Sequence, residues 1–127
     1  MTRILIADDS PPVRCGVRTL LELNANWQVC GEAVDGADAV KKARQLAPDL
    51  IVMDFFMPGM DGIQAAREIA KSGIDIPILL CTLHLSPQII ELACDAGMRG
   101  AISKAEISKM PVAIKALQRG ETFFYPN

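Results

Sequence analysis

The feature that most constrains the fold is an alternation of short apolar runs with helix-like stretches along the chain. Such alternation predicts βαβ units, in which parallel strands form one sheet and helices cover both of its faces. Five runs have the length and apolar composition of buried strands: RILIAD, WQVCGEA, LIVMD, IPILLCT and GAIS. The sequence therefore predicts an α/β protein with a five-stranded parallel sheet.

Five helices are predicted from local start and stop signals. Ser10 and Ser86 are each followed by proline, a combination that is typical of a helix N-cap and first helical position. Glycine or proline follows most of the predicted helix ends. The first helix is expected to begin at Pro11, the second to run from about Gly36 to Leu46, and the third from about Asp61 to Lys71. The fourth helix is expected to begin at Pro87 and to end at Gly97, and the fifth to begin at Pro111 and to end at Gly120.

Length and charge limit the classes of function. A chain of 127 residues with 50% hydrophobic residues fits a single domain with one sizeable core. The net charge of −2 does not provide the basic surface that binding to nucleic acid requires. No apolar run approaches the roughly 18 residues of a membrane span, and MTRILIADDS lacks the pattern of a signal peptide. We therefore expect no direct contact with DNA or with a membrane.

The four cysteines have no spacing typical of a metal site. The cysteines within ILLCTL and ELACDAG lie in apolar runs, where cysteine is most often a buried free thiol. Free thiols indicate a reducing compartment, and a cytoplasmic protein is expected.

Five polar side chains stand where the predicted strands end. Asp8 and Asp9 follow the first strand, Asp54 the third, Thr82 ends the fourth, and Lys104 follows the fifth. Each residue alone is typical of a helix cap, a turn or a solvated surface. Ligands of open parallel sheets bind beyond the carboxyl ends of the strands. The recurrence of polar residues at successive strand ends therefore predicts that they share one site.

Three carboxylates at one edge of a sheet repel one another, and a bound cation is expected to offset this repulsion. Two carboxylates about 4 Å apart repel one another by several kcal/mol at an effective dielectric constant of about 20. Oxygen ligands with room for water and phosphate favour Mg²⁺, whereas no cysteine or histidine adjoins the three aspartates in the sequence to favour zinc. An outward-facing carboxylate of Asp54 could then attack phosphorus and form an aspartyl phosphate, and Thr82 and Lys104 could contact the phosphoryl oxygens.

Taken together, these residues resemble the receiver domain of bacterial two-component response regulators. DDS after the first strand resembles the acidic pair of the family, VMDFFMPGMDG resembles its phosphoacceptor strand and loop, and Thr82 and Lys104 match its hydroxyl and lysine. The resemblance covers essentially all 127 residues. It implies a flavodoxin-like (βα)5 three-layer sandwich with a five-stranded parallel sheet of order 2-1-3-4-5.

The resemblance also implies roles for individual residues. Asp54 would accept a phosphoryl group from a sensor histidine kinase. Mg²⁺ would be ligated by Asp9, Asp54 and the backbone carbonyl of Phe56, while Asp8 would act through metal-bound water. The protein would not turn over external substrates, and two chains would pair as a homodimer on phosphorylation.

Within this family, DAGMRGAISKAE and AIKALQRGETFFYPN are similar to receivers of the LuxR/NarL/FixJ type, which precede a helix-turn-helix domain. Residues 1–120 are accordingly expected to form the receiver and residues 121–127 a linker toward a C-terminal DNA-binding domain. Transcription would be controlled through that domain. A regulator that consists of the receiver alone is the alternative.

Three positions add to or depart from the pattern of the family. Ala101 stands three residues before Lys104, where receivers commonly carry an aromatic switch residue. Coupling between the site and the fourth helix is therefore expected to be weak. Phe56 and His84 are expected near the mouth of the site, where either residue could limit the access of water, although a plain surface position is favoured for His84.

The sequence argues against three other functions. An aspartyl phosphatase of the haloacid dehalogenase type needs a second aspartate two residues after the nucleophile, and position 56 is phenylalanine. A flavin or nucleotide binder on the same fold needs a glycine-rich phosphate loop after the first strand, and none is present. A receiver-like interaction module without phosphorylation would not need the complete acidic set.

Overall fold

The computed structural model describes residues 1–125. This part of the chain folds into strands that alternate with helices, as the apolar pattern predicts. The elements are β1 (Thr2–Ala7), α1 (Pro11–Glu22), β2 (Trp27–Ala33), α2 (Gly36–Leu46), β3 (Leu50–Met53), α3 (Gly62–Lys71), β4 (Ile78–Thr82), α4 (Pro87–Asp95), β5 (Gly100–Ser103), a 3₁₀ helix (Lys104–Lys109), α5 (Met110–Gln118) and β6 (Phe123–Tyr125).

All strands are parallel and lie in one sheet of order β2-β1-β3-β4-β5-β6. The flavodoxin-like arrangement is confirmed, but the prediction of five strands is wrong. The sixth strand pairs with β5 and falls within residues 121–127. Gly100 permits this pairing, because a Cβ atom at this position would lie 2.6 Å from the carbonyl oxygen of Phe123.

Two hydrophobic layers enclose the sheet. Side chains alternate along each strand, so that Leu5 and Ala7 of β1 face the layer formed with α2, α3 and α4. Ile4 and Ile6 face the layer formed with α1 and α5. The central strands are buried on both faces, and the polar residues that follow them are held on a rigid support.

The helix starts keep the connections at the carboxyl edge of the sheet short. The Ser10 hydroxyl accepts a hydrogen bond from the Val13 N–H at the start of α1, so only residues 8–10 connect β1 to this helix. Asp61 and Gln64 form a reciprocal capping box at the start of α3. The loops that carry the predicted site residues are therefore anchored at both ends.

The four cysteines are free thiols. Cys81 is buried in β4, and burial raises its pKa to about 12. Cys94 is exposed, so the prediction that it is buried is wrong. The only buried residue of α4 is Ala93, and the helical turn of about 100° per residue carries the next side chain toward solvent. Within residues 1–125, none of the helices combines the length and apolar character that crossing a membrane requires.

Candidate functional site

An open cleft of about 370 Å³ lies at the carboxyl ends of β1, β3, β4 and β5. The structure brings all five of the strand-end polar residues together there. The lining residues are Asp8, Asp9, Ser10, Val13, Asp54, Phe56, Thr82, Leu83 and Lys104.

Three carboxylates cluster in this cleft. Asp8, Asp9 and Asp54 each offer an oxygen, and these oxygens lie within 4.8 Å of one another. The parallel register places Ala7 of β1 beside Met53 of β3, so the aspartates that follow these residues emerge side by side. Asp8 and Asp54 are buried and Asp9 is exposed. An acidic cluster of this kind could hold a metal ion through oxygen ligands alone.

Lys104 joins two of these carboxylates. Its Nζ atom lies 2.8 Å from Asp8 Oδ2 and 3.0 Å from Asp54 Oδ2. Burial disfavours the charged ammonium, but the hydrogen bonds to Asp8 and Asp54 outweigh this effect and raise the pKa of Lys104. For Asp54, burial raises the pKa of the carboxyl group, and the bond from Lys104 offsets only part of that rise. The site therefore holds a partly desolvated carboxylate beside a fixed positive charge.

The three acids differ in how their oxygens are engaged. Asp54 Oδ1 accepts the Phe55 N–H at 2.8 Å, and Asp8 Oδ1 accepts the Ser10 N–H at 2.9 Å. The second oxygen of each contacts Lys104. Within the described part of the chain, the carboxylate of Asp9 makes no hydrogen bond or ion pair. Asp9 is thus the acid whose oxygens are most available to a metal ion.

Thr82 provides a hydroxyl to the same cleft. Its side chain is fully buried, and no group among residues 1–125 hydrogen-bonds to Oγ1. Leaving a buried polar group without a partner costs about 1–3 kcal/mol. A hydroxyl in this position is available to an oxygen of a bound ligand.

Gly62 fixes the loop that follows Asp54. Its N–H donates to the Phe55 carbonyl at 2.9 Å, and a Cβ atom at this position would lie only 1.9 Å from the Asp54 carbonyl oxygen. Only glycine permits the start of α3 to approach the end of β3 so closely. The glycine of the MDG segment thereby holds the backbone beneath the Asp54 side chain.

The three additional predicted positions have different surroundings. Phe56 lines the cleft and is exposed, and its ring stacks on Phe55 with 4.7 Å between centroids. His84 is exposed but does not line the cleft, where the neighbouring Leu83 lies instead. Leu83 could not be predicted as a lining residue, because an apolar residue after a strand carries no distinctive signal in the sequence.

Ala101 lies outside the cleft. It is fully buried in β5, between Leu80 of β4 and Phe124 of β6 in the register of the sheet. Phe124 packs against the same hydrophobic layer as Ala101. An aromatic ring is therefore present beside this position, but β6 supplies it.

Two charged residues near the site were also missed. Arg14 donates to the backbone carbonyl of Asp8, and its guanidinium group is paired with Glu32. A cation in the first turn of a helix is the signal that could have identified Arg14, because this position is electrostatically unfavourable. Its partner on β2 could not be read from local sequence.

Comparison with known proteins gives a consistent result. The family described as the response regulator receiver domain matches residues 4–115. The response regulator protein VraR of Staphylococcus aureus is 35% identical over 126 residues, which cover 98% of this chain and 60% of VraR. The chain thus spans about 60% of the length of the relatives it matches.

Solved structures show the same likeness. A two-component response regulator of the LuxR family from Aurantimonas sp. SI85-9A1 superposes with a TM-score of 0.95 at 34% identity, covering 99% of this chain and 91% of that one. The isolated receiver domain of RcsB from Salmonella enterica serovar Typhimurium, solved with the phosphomimetic BeF3−, gives a TM-score of 0.89 at 29% identity and covers 98% and 94% of the two chains.

Proposed function

The chain belongs to the family of response regulator receiver domains, and we propose that it accepts a phosphoryl group on Asp54 with the help of Mg²⁺. One observation carries this proposal. The carboxylate of Asp54 lies within 3.0 Å of the Lys104 ammonium and clusters with Asp8 and Asp9 in an open cleft. A nucleophile, its charge partner and a metal-binding acid set thus meet at one point.

The proposed donor is the phosphohistidine of a sensor histidine kinase. A carboxylate oxygen of Asp54 attacks phosphorus, and an oxygen–phosphorus bond forms while the phosphorus–nitrogen bond breaks. The imidazole nitrogen of the donor keeps the bonding electrons and takes up a proton. During this transfer, Lys104 and Thr82 donate hydrogen bonds to the phosphoryl oxygens, on which negative charge builds up in the transition state.

The chain offers a suitable oxygen set for Mg²⁺. We assign direct ligation to Asp9, Asp54 and the backbone carbonyl of Phe56, and an indirect role through water to Asp8. The exposed carboxylate of Asp9 supports its direct role. Asp8 and Asp54 each offer one oxygen to a backbone N–H and the other to Lys104, so the division between these two acids rests on the resemblance to the family. When bound, Mg²⁺ would supply positive charge to the phosphoryl oxygens.

Two residues near the site were candidates for modulating the reaction, Phe56 and His84. Phe56 lies exposed at the cleft and is suited to shield the phosphoryl group from water. His84, which lies outside the lining, is assigned no part in the reaction.

The likeness to LuxR-family regulators supports a transcriptional output. One of the matched structures is a DNA-binding response regulator of the LuxR family from Staphylococcus aureus. We propose that residues 1–120 form the receiver unit and that residues 121–127 lead to a DNA-binding domain in the full-length protein. Phosphorylation would favour pairing of two chains. Four free cysteines support a cytoplasmic location for this reaction.

The test is phosphorylation by acetyl phosphate. Incubation with acetyl phosphate and Mg²⁺ is expected to add one phosphoryl group per chain, visible by intact-mass spectrometry, and Asp54→Asn is expected to add none. A receiver should also show no turnover of p-nitrophenyl phosphate above background. Sustained hydrolysis of that ester would favour an aspartyl phosphatase instead, and labelling of the Asp54→Asn variant would remove Asp54 as the acceptor.

A further inference from the structure

We propose that Arg14 is a positioning residue for the metal-binding acids and that it acts by fixing the peptide group from which Asp9 projects. The inference rests on the proposed function, because it concerns how Asp9 is presented to Mg²⁺. Arg14 contacts neither the phosphoryl group nor the metal in this account. Its role is carried out through the backbone of the loop between β1 and α1.

The contacts of Arg14 link the ends of two strands. Its Nη1 atom donates to the backbone carbonyl of Asp8 at 2.7 Å, and its Nε atom donates to Glu32 Oε1 at 2.8 Å. The side chain is only 13% exposed. Since Asp8 follows β1 and Glu32 belongs to β2, the planar guanidinium group ties the site loop to the neighbouring strand.

The position of this arginine breaks a local rule. Arg14 lies in the first turn of α1, where the N–H groups of the helix carry partial positive charge and disfavour a cation. No acidic residue in that turn compensates for it. A residue that breaks a local rule and forms specific tertiary contacts is a candidate for a functional role.

The Asp8 carbonyl is the atom through which Arg14 can influence Asp9. This carbonyl belongs to the planar peptide group that joins Asp8 to Asp9, so its orientation sets the direction in which the Asp9 side chain leaves the backbone. Asp8 is also held by the Ser10 N–H and by Lys104. The Asp9 side chain has no such contact within the described residues, and the preceding peptide group is its main restraint. Groups that orient metal ligands from behind typically contribute about 10-fold or more to affinity.

Glu32 in turn fixes Arg14, and it provides a matched control. Arg18 donates to the other carboxylate oxygen, Glu32 Oε2, through Nη2 at 2.7 Å and Nε at 3.0 Å. Arg18 is on the same helix and binds the same acid, but within residues 1–125 its side chain makes no hydrogen bond or ion pair with the loop, and it is 38% exposed. Arg18 also pairs with Glu22 at 3.8 Å, so its loss removes a charge and two ion pairs without releasing the Asp8 carbonyl.

The experiment measures the Mg²⁺ dissociation constant of the unmodified chain and of Arg14→Gln, Arg14→Lys and Arg18→Gln by titration calorimetry, with thermal unfolding of each variant in parallel. Arg14→Gln is expected to weaken Mg²⁺ binding by about 10-fold, and Arg14→Lys is expected to weaken it as well, because lysine keeps the charge but loses the two-pronged geometry. Arg18→Gln is expected to bind Mg²⁺ like the unmodified chain. At saturating Mg²⁺, Arg14→Gln should still reach full phosphorylation by acetyl phosphate.

The direction in which Mg²⁺ affinity changes in Arg14→Gln distinguishes a positioning role from a purely electrostatic one. Removing a cation near three carboxylates should tighten Mg²⁺ binding if charge alone matters, so unchanged or tighter binding in Arg14→Gln overturns the inference. Equal weakening in Arg14→Gln and Arg18→Gln, in step with their loss of thermal stability, also overturns it. If the unmodified chain binds no Mg²⁺, the proposed function itself fails. If the unmodified chain binds Mg²⁺ and Arg14→Gln binds it equally well, only the positioning role is rejected.

Discussion

Lys104 Nζ lies 3.0 Å from Asp54 Oδ2, beyond the carboxyl ends of the third and fifth strands. The same ammonium contacts Asp8 at 2.8 Å, so one cation balances two buried carboxylates. The groups that we propose for phosphoryl transfer therefore also affect folding stability. This link allows the site to be tested by unfolding experiments as well as by phosphorylation.

Lys104→Ala is expected to destabilise the protein when no divalent cation is present. The substitution leaves Asp8 and Asp54 close together without their partner, and loss of hydrogen bonds to charged groups costs roughly 1–3 kcal/mol. The free energy of unfolding, measured in urea with a chelator, should fall by this amount. Added Mg²⁺ should restore part of the loss, because it binds the folded state.

Lys71→Ala is the control for this prediction. Lys71 is 76% exposed, and among residues 1–125 its one ion pair is with Glu68, at 3.7 Å. Its removal should change the free energy of unfolding by less than about 0.5 kcal/mol. An equal effect of the two substitutions would show that the ion pairs of Lys104 do not stabilise the fold.

Asp9→Ala is expected to reduce Mg²⁺ affinity more than Asp8→Ala. The exposed Asp9 carboxylate is available for direct ligation, whereas both oxygens of Asp8 are engaged by the Ser10 N–H and Lys104. Calorimetric titration of the two variants measures the difference. Equal losses of affinity would reject the assignment of a direct role to one acid and a water-mediated role to the other.

Thr82→Val is expected to stabilise the unphosphorylated protein by about 1 kcal/mol, because it removes a buried hydroxyl without a partner in the described chain. The same change should weaken binding of beryllofluoride, followed through the amide signals of Asp54 and Lys104. Thr19→Val, at an exposed position on α1, is the control and should leave beryllofluoride binding unchanged. A loss of stability in Thr82→Val would mean that the hydroxyl is already satisfied.

Gly62→Ala is expected to destabilise the protein by about 3 kcal/mol, near the upper end of the cost of overpacking. The added methyl group would lie 1.9 Å from the Asp54 carbonyl oxygen, and the backbone would have to move. Gly16→Ala in α1 meets no atom within 4 Å and should instead stabilise the protein by about 0.5–1 kcal/mol. Urea unfolding of both variants measures the contrast, and a neutral Gly62→Ala would show that the loop is not tightly fixed.

Local signals predicted most of the secondary structure. The Ser-Pro pairs at Ser10 and Ser86 encode their helix starts within four residues, and the structure contains these caps. The central strands could be predicted because burial on both faces requires continuous apolar runs. The polar residues at strand ends could be predicted to meet because the carboxyl ends of parallel strands share one edge.

Features that depend on distant parts of the chain could not be predicted. The three residues of β6 become a strand only because α5 returns the chain beside β5, where Gly100 leaves room for Phe123. The pairing of Arg14 with Glu32 joins residues 18 positions apart on different elements. Neither pairing leaves a periodic or spacing signal in the sequence.

The central claim is that the carboxylate of Asp54 itself receives the phosphoryl group. Its most direct test is to phosphorylate the chain with acetyl phosphate and Mg²⁺, reduce the product with borohydride and map the peptides by mass spectrometry. Borohydride reduces an aspartyl phosphate to homoserine, so the account predicts homoserine at position 54 in the phosphorylated sample and aspartate in a sample prepared without acetyl phosphate. Homoserine at Asp8 or Asp9, or a phosphoryl group that survives reduction with aspartate intact at position 54, would contradict the account.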